Sequence, residues 1–136
     1  MSFSTDSKAN EVTEDCSFEI EFFENLSRRN PKDVKVLEAL AHQYTKNGKI
    51  NDGLRVDRRI VRHDPENPIA HYNLACSLAL KNRKKDAVES LREAFSFGYR
   101  DLGWMMNDDD LENLRDYEPF VDLVNEIANE FGDPLI

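Results

Sequence analysis

Cysteine is scarce in this chain: Cys16 and Cys76 are the two in 136 residues. Two thiols 60 positions apart suggest neither a disulfide framework nor a zinc site. Five glycines and five prolines are too few for a collagenous or linker-like chain. No apolar run approaches the roughly 20 residues that a membrane span needs. The opening MSFSTDSKANEVTED has no basic start, apolar middle or small-residue cleavage site, so no signal peptide is expected and the reading is cytoplasmic. Gly-rich phosphate loops and a Gly-x-Ser-x-Gly elbow are also missing.

What remains is an ordinary soluble composition, 40% hydrophobic and 33% charged, with the length of a single modest domain. The net charge of −9 is unevenly placed. Residues 1–24 carry one basic residue against seven acids, and 101–136 carry one against eleven. Between them, 25–67 hold ten basic against six acidic and 68–100 hold six against three. Acidic ends would repel phosphates, which argues against nucleic acid as the main partner. The same arrangement lets an acidic end steer toward the basic middle.

A 34-residue shift aligns the chain with itself. It pairs Leu40 with Leu74, Ala41 with Ala75, Asp52 with Asp86 and Arg58 with Arg92, and it places Pro31 on Pro65. By class it also pairs Val36 with Ala70, Tyr44 with Leu78, Leu54 with Val88 and Ile60 with Ala94. Within each copy the apolar period is helical: residues 36, 37, 40, 41 and 44 share a face before Asn47-Gly48, and a second helix runs from 50 to Asp64-Pro65. The second copy runs 70, 74, 75, 78 and 79, breaks at Lys81-Asn82, and resumes at 87, 88, 91, 94 and 95. Small residues Ala41, Ala75, Gly53 and Ala87 fall where the helices of a pair approach closely.

A two-helix unit with Leu-Ala-x-x-Tyr in its first helix, a small residue opening its second and Asp-Pro-x-Asn at its end resembles the tetratricopeptide repeat. The second unit, with YNLACSLAL and then Ala87, Leu91 and Ala94, is the closer match, whereas the first departs at Gly53, Asp57 and Ile60. Residues 18–30, with Phe18, Phe22 and Leu26 on one face, resemble the second helix of an incomplete preceding repeat. Asp108, Leu111, Leu114, Arg115 and Phe120 sit as in the segment that closes many bacterial arrays of this family.

The resemblance implies an all-α fold, a short right-handed solenoid of stacked antiparallel helix pairs with helical caps at both ends. Its expected divisions are a disordered acidic tail at 1–16, an N-terminal capping helix at 17–30, repeats at 34–67 and 68–101, a closing segment at 102–131 and a tail at 132–136.

No catalytic, cofactor or metal site is expected. Cys76 lies mid-helix with no base beside it, and a cysteine on a packed helix is usually a small apolar filler. His42, at the matching place of the first repeat, would lie about 8–10 Å away. His42, His71 and Cys76 do not converge as zinc ligands, and Asp108-Asp109-Asp110 reads as a helix cap rather than a calcium loop. Arg55, Arg58, Arg59 and Arg62 form one helix stripe, most simply a solvated face, with an acidic docking surface as the sharper reading. Lys81-Asn82-Arg83-Lys84-Lys85 reads as a polar turn without the aromatics of a nucleic-acid site.

In such an array the first helix of each pair lines the concave side. Helical geometry then predicts a groove with Lys35, Glu38, His42 and Thr45 on one side and Ile69, Tyr72, Cys76 and Ala79 on the other, with Tyr72 packing against the capping helix as the alternative to an open lining. The opposite faces, led by Leu40, Ala41, Leu74 and Ala75, would pack inside. The family's lysine- and asparagine-based clamp for peptide carboxylates finds Asn73 in place, but Glu38 and His42 where Lys and Asn belong. The expectation is therefore an adaptor without enzyme activity, binding a protein or peptide segment in a shallow groove, with no nucleic acid or membrane partner. The alternatives are a homo-oligomeric or structural subunit that buries its groove or open ends, and a small chaperone-like holder.

Overall fold

The computed structural model describes residues 17–132. The tails expected at 1–16 and 132–136 lie outside the described residues, Gly132 excepted. Among the described residues there is no strand. The elements are α1 over 17–29, α2 Val34–Lys46, α3 Ile50–His63, α4 Pro68–Leu80, α5 Lys84–Ser96, α6 Leu102–Asn107, a 3-10 helix Asp109–Leu114, and α7 Glu118–Phe131. They fall into two compact units, Met1–His63 and Asp64–Ile136.

In the first unit α2 and α3 form an antiparallel pair. Asp33 caps α2 by accepting from the backbone of Lys35 and Val36, and Leu37, Leu40, Ala41 and Tyr44 bury its inner face. Gly53 of α3 meets that face so closely that a Cβ there would lie 2.7 Å from Thr45 Oγ1 and 3.5 Å from the Ala41 carbonyl. Glycine at 53 is thus a packing requirement, which accounts for the departure from the alanine of the repeat pattern. Asp57 also lies inside, at 5% exposure.

Helix α1 does not turn inward the face expected of it. Phe18 and Phe22 are 73% and 54% exposed, while Ile20 and Ser27 are buried. Ile20, Glu24 and Ser27 share one face at i, i+4 and i+7. Glu24 accepts a short hydrogen bond from the Tyr44 hydroxyl of α2. That half-buried hydrogen bond, in place of the phenylalanines, goes with the observed rotation of the helix.

The second unit repeats the pair with α4 and α5. Asn67 caps α4 by accepting from Ile69 and Ala70, with Pro68 at the first turn, where its missing N–H goes unneeded. Helix α4 is apolar nearly all round, and it buries His71, Tyr72, Ala75, Cys76, Ser77, Leu78 and Ala79. A helix of that kind is covered on more than one side. One side is taken by α5, through Ala87, Val88, Leu91 and Ala94, and another by the 3-10 helix. Helix α7 packs on α5, with Phe120, Leu123 and Ile127 buried and Arg92 reaching Glu126 through two hydrogen bonds of 2.7 and 3.2 Å.

The ends of α2 and α4 share one turn. The Lys49 N–H donates to the Tyr44 carbonyl at 2.8 Å, and the Arg83 N–H donates to Leu78 at 2.9 Å. Each turn passes through a left-handed residue, Gly48 at φ 77° and Asn82 at φ 59°. This is the 6→1 closure of a Schellman motif, in which asparagine substitutes for glycine. The two turns are 34 positions apart, as the sequence period predicts.

Candidate functional site

Chain 102–114 lies along the face of α4 that the sequence assigns to a groove. Leu102, Met105, Leu111 and Leu114 anchor it, none more than 3% exposed. Asp108 ends α6 and caps the 3-10 helix, its Oδ1 accepting from the Asp110 N–H at 3.0 Å. Its other oxygen accepts from the Tyr72 hydroxyl at 2.6 Å, and the Cys76 thiol lies 3.8 Å from the same atom. Asn113 Nδ2 donates to the Ala79 carbonyl at 2.7 Å.

The expected groove lining is corrected accordingly. Tyr72, Cys76 and Ala79 are 5%, 7% and 0% exposed, closed over by the chain's own segment, and of that stripe Ile69 alone is exposed. In the first unit Lys35 and His42 are exposed, with Glu38 and Thr45 half-buried. Lys35 pairs with Glu38 at 3.9 Å. Of the residues expected inside, Leu40, Ala41 and Ala75 are buried, and Leu74 is half-buried.

The surroundings of Cys76 do not suit a nucleophile. Burial, and then the nearby charges of Asp108 and Asp110, push the thiol well above its ordinary range, and the thiolate is the reactive form. Burial and the bond to Asp108 likewise raise the Tyr72 hydroxyl. Tyr99, stacked on Tyr72 with ring centres 4.5 Å apart, is pushed up to about 12, chiefly by burial. Ligand-type atoms of Cys76, Asp108 and Asp110 lie within 4.8 Å of one another, a convergence the sequence did not reveal. Both oxygens of Asp108 already accept hydrogen bonds and the thiol keeps its proton, so the trio acts as a staple between α4 and the closing segment. Asp110 is raised as well, by burial and then by the charges of Asp108 and Asp109.

Four of the eight basic residues in the two features are engaged. Arg55 pairs with Asp52 at 3.0 Å, and Arg59 donates to the Pro31 carbonyl at 3.3 Å. Arg83 pairs with Asp86 at 2.9 Å, and the Lys84 ammonium lies 5.9 Å from the Tyr117 ring centre.

Beside the staple a concave cleft of about 440 Å³ opens in the second unit. The stacked Tyr72 and Tyr99 line it, together with Asn73 and Arg100, and Ile69 and Trp104 also contribute. Ile69 and Trp104 are 47% and 63% exposed. The Asp101 carboxylate accepts from the Trp104 N–H at 2.9 Å and so fixes where the indole starts. Arg100 donates to the carbonyls of Phe95 and Tyr99, while its guanidinium lies 3.8 Å from the Phe131 ring centre. Sequence reasoning finds Ile69, Tyr72 and Asn73 here but misses Tyr99, Arg100 and Trp104. Their signal is the aromatic-rich stretch FSFGYRDLGW, which begins in the last turn of α5.

Helix pairs with recurring turns define the class as an all-α helical-repeat fold, and comparison with solved structures bears this out. The chain is similar to a crystal structure of MamA, with a TM-score of 0.68 and 16% identity over 88% of this chain and 70% of that one. A second MamA crystal structure matches with a TM-score of 0.67 and 15% identity over 90% of this chain and 71% of that one. At such identities the likeness is one of fold. No protein-family model and no curated protein matches the chain. No helix among the described residues is long and apolar enough to cross a membrane.

Proposed function

We propose that this chain is a protein-interaction module of the tetratricopeptide-repeat kind, with repeats at α2–α3 and α4–α5 and a closing segment at 102–131. Its recognition surface is the cleft rimmed by Ile69 and Trp104. One observation carries this reading. Two large apolar side chains stand exposed beside a concave aromatic floor, an arrangement that marks an interaction site more often than a solvated face. The exposed Asn73 amide offers a donor and an acceptor to the backbone of an extended segment. The partner is a protein segment with an apolar anchor, bound by recognition rather than changed by chemistry. So small a surface binds weakly.

Photo-crosslinking from position 69 in the full chain, with the adducts mapped, tests the proposal. A partner segment that attaches there and is lost on Trp104→Ser supports it. Equal partner recovery by wild type and by the Ile69→Ser, Trp104→Ser double variant would sink it.

The exposed Phe18 and Phe22 of α1 favour a second reading, self-association through the N-terminal helix. Sedimentation of wild type against Phe18→Ser, Phe22→Ser decides it, and a wild type that is monomeric at every concentration removes that reading.

A further inference from the structure

Two charged residues line the cleft, Arg100 and Asp101, and they are not equivalent. The Arg100 guanidinium donates to the Phe95 and Tyr99 carbonyls and lies against the Phe131 ring. It makes no ion pair with Asp101 among the described residues. Asp101 is exposed, and its Oδ1 accepts from the Trp104 N–H at 2.9 Å. Its Oδ2 accepts no hydrogen bond among the described residues. Three positions on, Trp104 is 63% exposed. Residues three apart on a helical turn have Cβ atoms about 5–6 Å apart, so one incoming side chain can touch both. Negative charge already acts on the cleft floor: Tyr99 is raised chiefly by burial, and the charges of Asp101 and Asp108 add to it. The segment that closes this unit, residues 101–132, carries ten acids against the one basic residue Arg115, which itself donates to the Asp108 carbonyl.

Given the cleft as a recognition surface, on which this step rests, we infer that its partner segment is cationic as well as apolar. An arginine of that segment lies over the Trp104 indole with its guanidinium against Asp101 Oδ2, and an apolar neighbour sits on Ile69. An indole face attracts a cation held within about 6 Å of its centre, and does so better than the other aromatic rings. A guanidinium suits the place better than an ammonium, because its plane can stack on the ring while its fork pairs with the carboxylate. Asn73 is left for the partner's backbone. An acidic segment would meet the Asp101 charge and be disfavoured. The acidic closing segment adds a longer-range attraction for a basic partner, one that salt screens.

Trp104 is the single tryptophan of the chain, so its emission reports binding at the cleft. The probes are short blocked peptides in which leucine alternates with arginine, glutamine or glutamate. The full chain is expected to bind the arginine peptide roughly tenfold tighter than the glutamine peptide, as an exposed cation–π contact and an exposed ion pair together give. The glutamate peptide should bind weakest. Asp101→Asn keeps an acceptor for the Trp104 N–H and should reduce the arginine preference to roughly threefold, the share of the cation–π contact, with an unchanged circular-dichroism spectrum. Asp116→Asn removes an exposed acid that does not line the cleft and should leave the preference in place. Equal binding of the arginine and glutamine peptides by wild type overturns the inference and leaves recognition of apolar segments standing. A preference undiminished by Asp101→Asn, or lowered as much by Asp116→Asn, also overturns it, by assigning the attraction to overall charge. Emission that no peptide shifts removes the recognition reading, and the cation site with it.

Discussion

The Tyr72 hydroxyl donates to Asp108 Oδ2 at 2.6 Å, joining residues 36 apart in the chain. A mirror of this contact stands in the first unit, where the Tyr44 hydroxyl donates to Glu24. In each unit a tyrosine on the first helix of a pair reaches a carboxylate on the segment covering that helix, and so fixes the cover's rotation and register. Replacing Tyr72 by Phe keeps the stack on Tyr99 but removes the hydroxyl donor from Asp108 Oδ2, which keeps only the long contact with the Cys76 thiol. The expected loss is about 1–2 kcal/mol, read as a lower urea midpoint with unchanged slope. An unaltered midpoint would mean that water already satisfies Asp108.

Cys76 is expected to be nearly inert in the folded protein. Its buried, proton-holding environment leaves little thiolate at pH 8, where an ordinary cysteine, of pKa about 8.5, is already partly ionised. In a Cys16→Ser background, alkylation by iodoacetamide should track the urea unfolding curve. Asp108→Asn, which removes one of the opposing charges, should speed labelling in the native state. Native labelling as fast as that of a free thiol would contradict the burial of Cys76.

Alkaline stability depends on the same groups. Cys76, Tyr72, Tyr44 and Tyr99 all have folded values above their ordinary ones. Each therefore holds its proton longer when folded than when unfolded, so stability is full below the unfolded value and falls as pH rises past it. Thermal stability should begin to decline above about pH 8.5 and fall faster above about pH 10, the ordinary thiol and phenol values. Tyr72→Phe should flatten the later part of the fall. Asp110 shifts in the same direction at acid pH, so Asp110→Asn should stabilise at neutral pH and lose that advantage below about pH 4, the ordinary carboxyl value.

Gly53 and Thr45 should behave as a coupled pair. A Cβ at 53 would lie 2.7 Å from Thr45 Oγ1, so Gly53→Ala should destabilise by about 1–3 kcal/mol through overpacking despite alanine's better helix propensity. Removing the obstructing atom with Thr45→Ala should recover much of that loss, giving a non-additive double-mutant cycle in chemical denaturation. Additive effects would place the strain in the backbone instead.

Much of the fold is legible in the sequence because it repeats. The 34-residue recurrence of small and apolar positions locates both helix pairs, and the Asn47-Gly48 and Lys81-Asn82 breaks mark turns whose hydrogen bonds recur at the same spacing. The rotation of α1 is not legible, since Phe18 and Phe22 form as good an apolar stripe as Ile20 and its neighbours. A half-buried glutamate–tyrosine contact decides between them, and periodicity does not register it. The groove expectation fails for a related reason. Giving α4 one open face overlooks that HYNLACSLAL is apolar nearly all round, which is itself the mark of a helix covered twice. Which segment covers it depends on Asp108 and Asn113, which lie outside any repeat and find their partners more than 30 residues away.

The closing segment also sets a limit on growth. A third helix pair spliced in after α5 would come between α4 and residues 108–113, leaving the Tyr72 hydroxyl, the Cys76 thiol and the Ala79 carbonyl to find other neighbours. An insertion downstream of Ser96 would thus separate α4 from the segment that covers it.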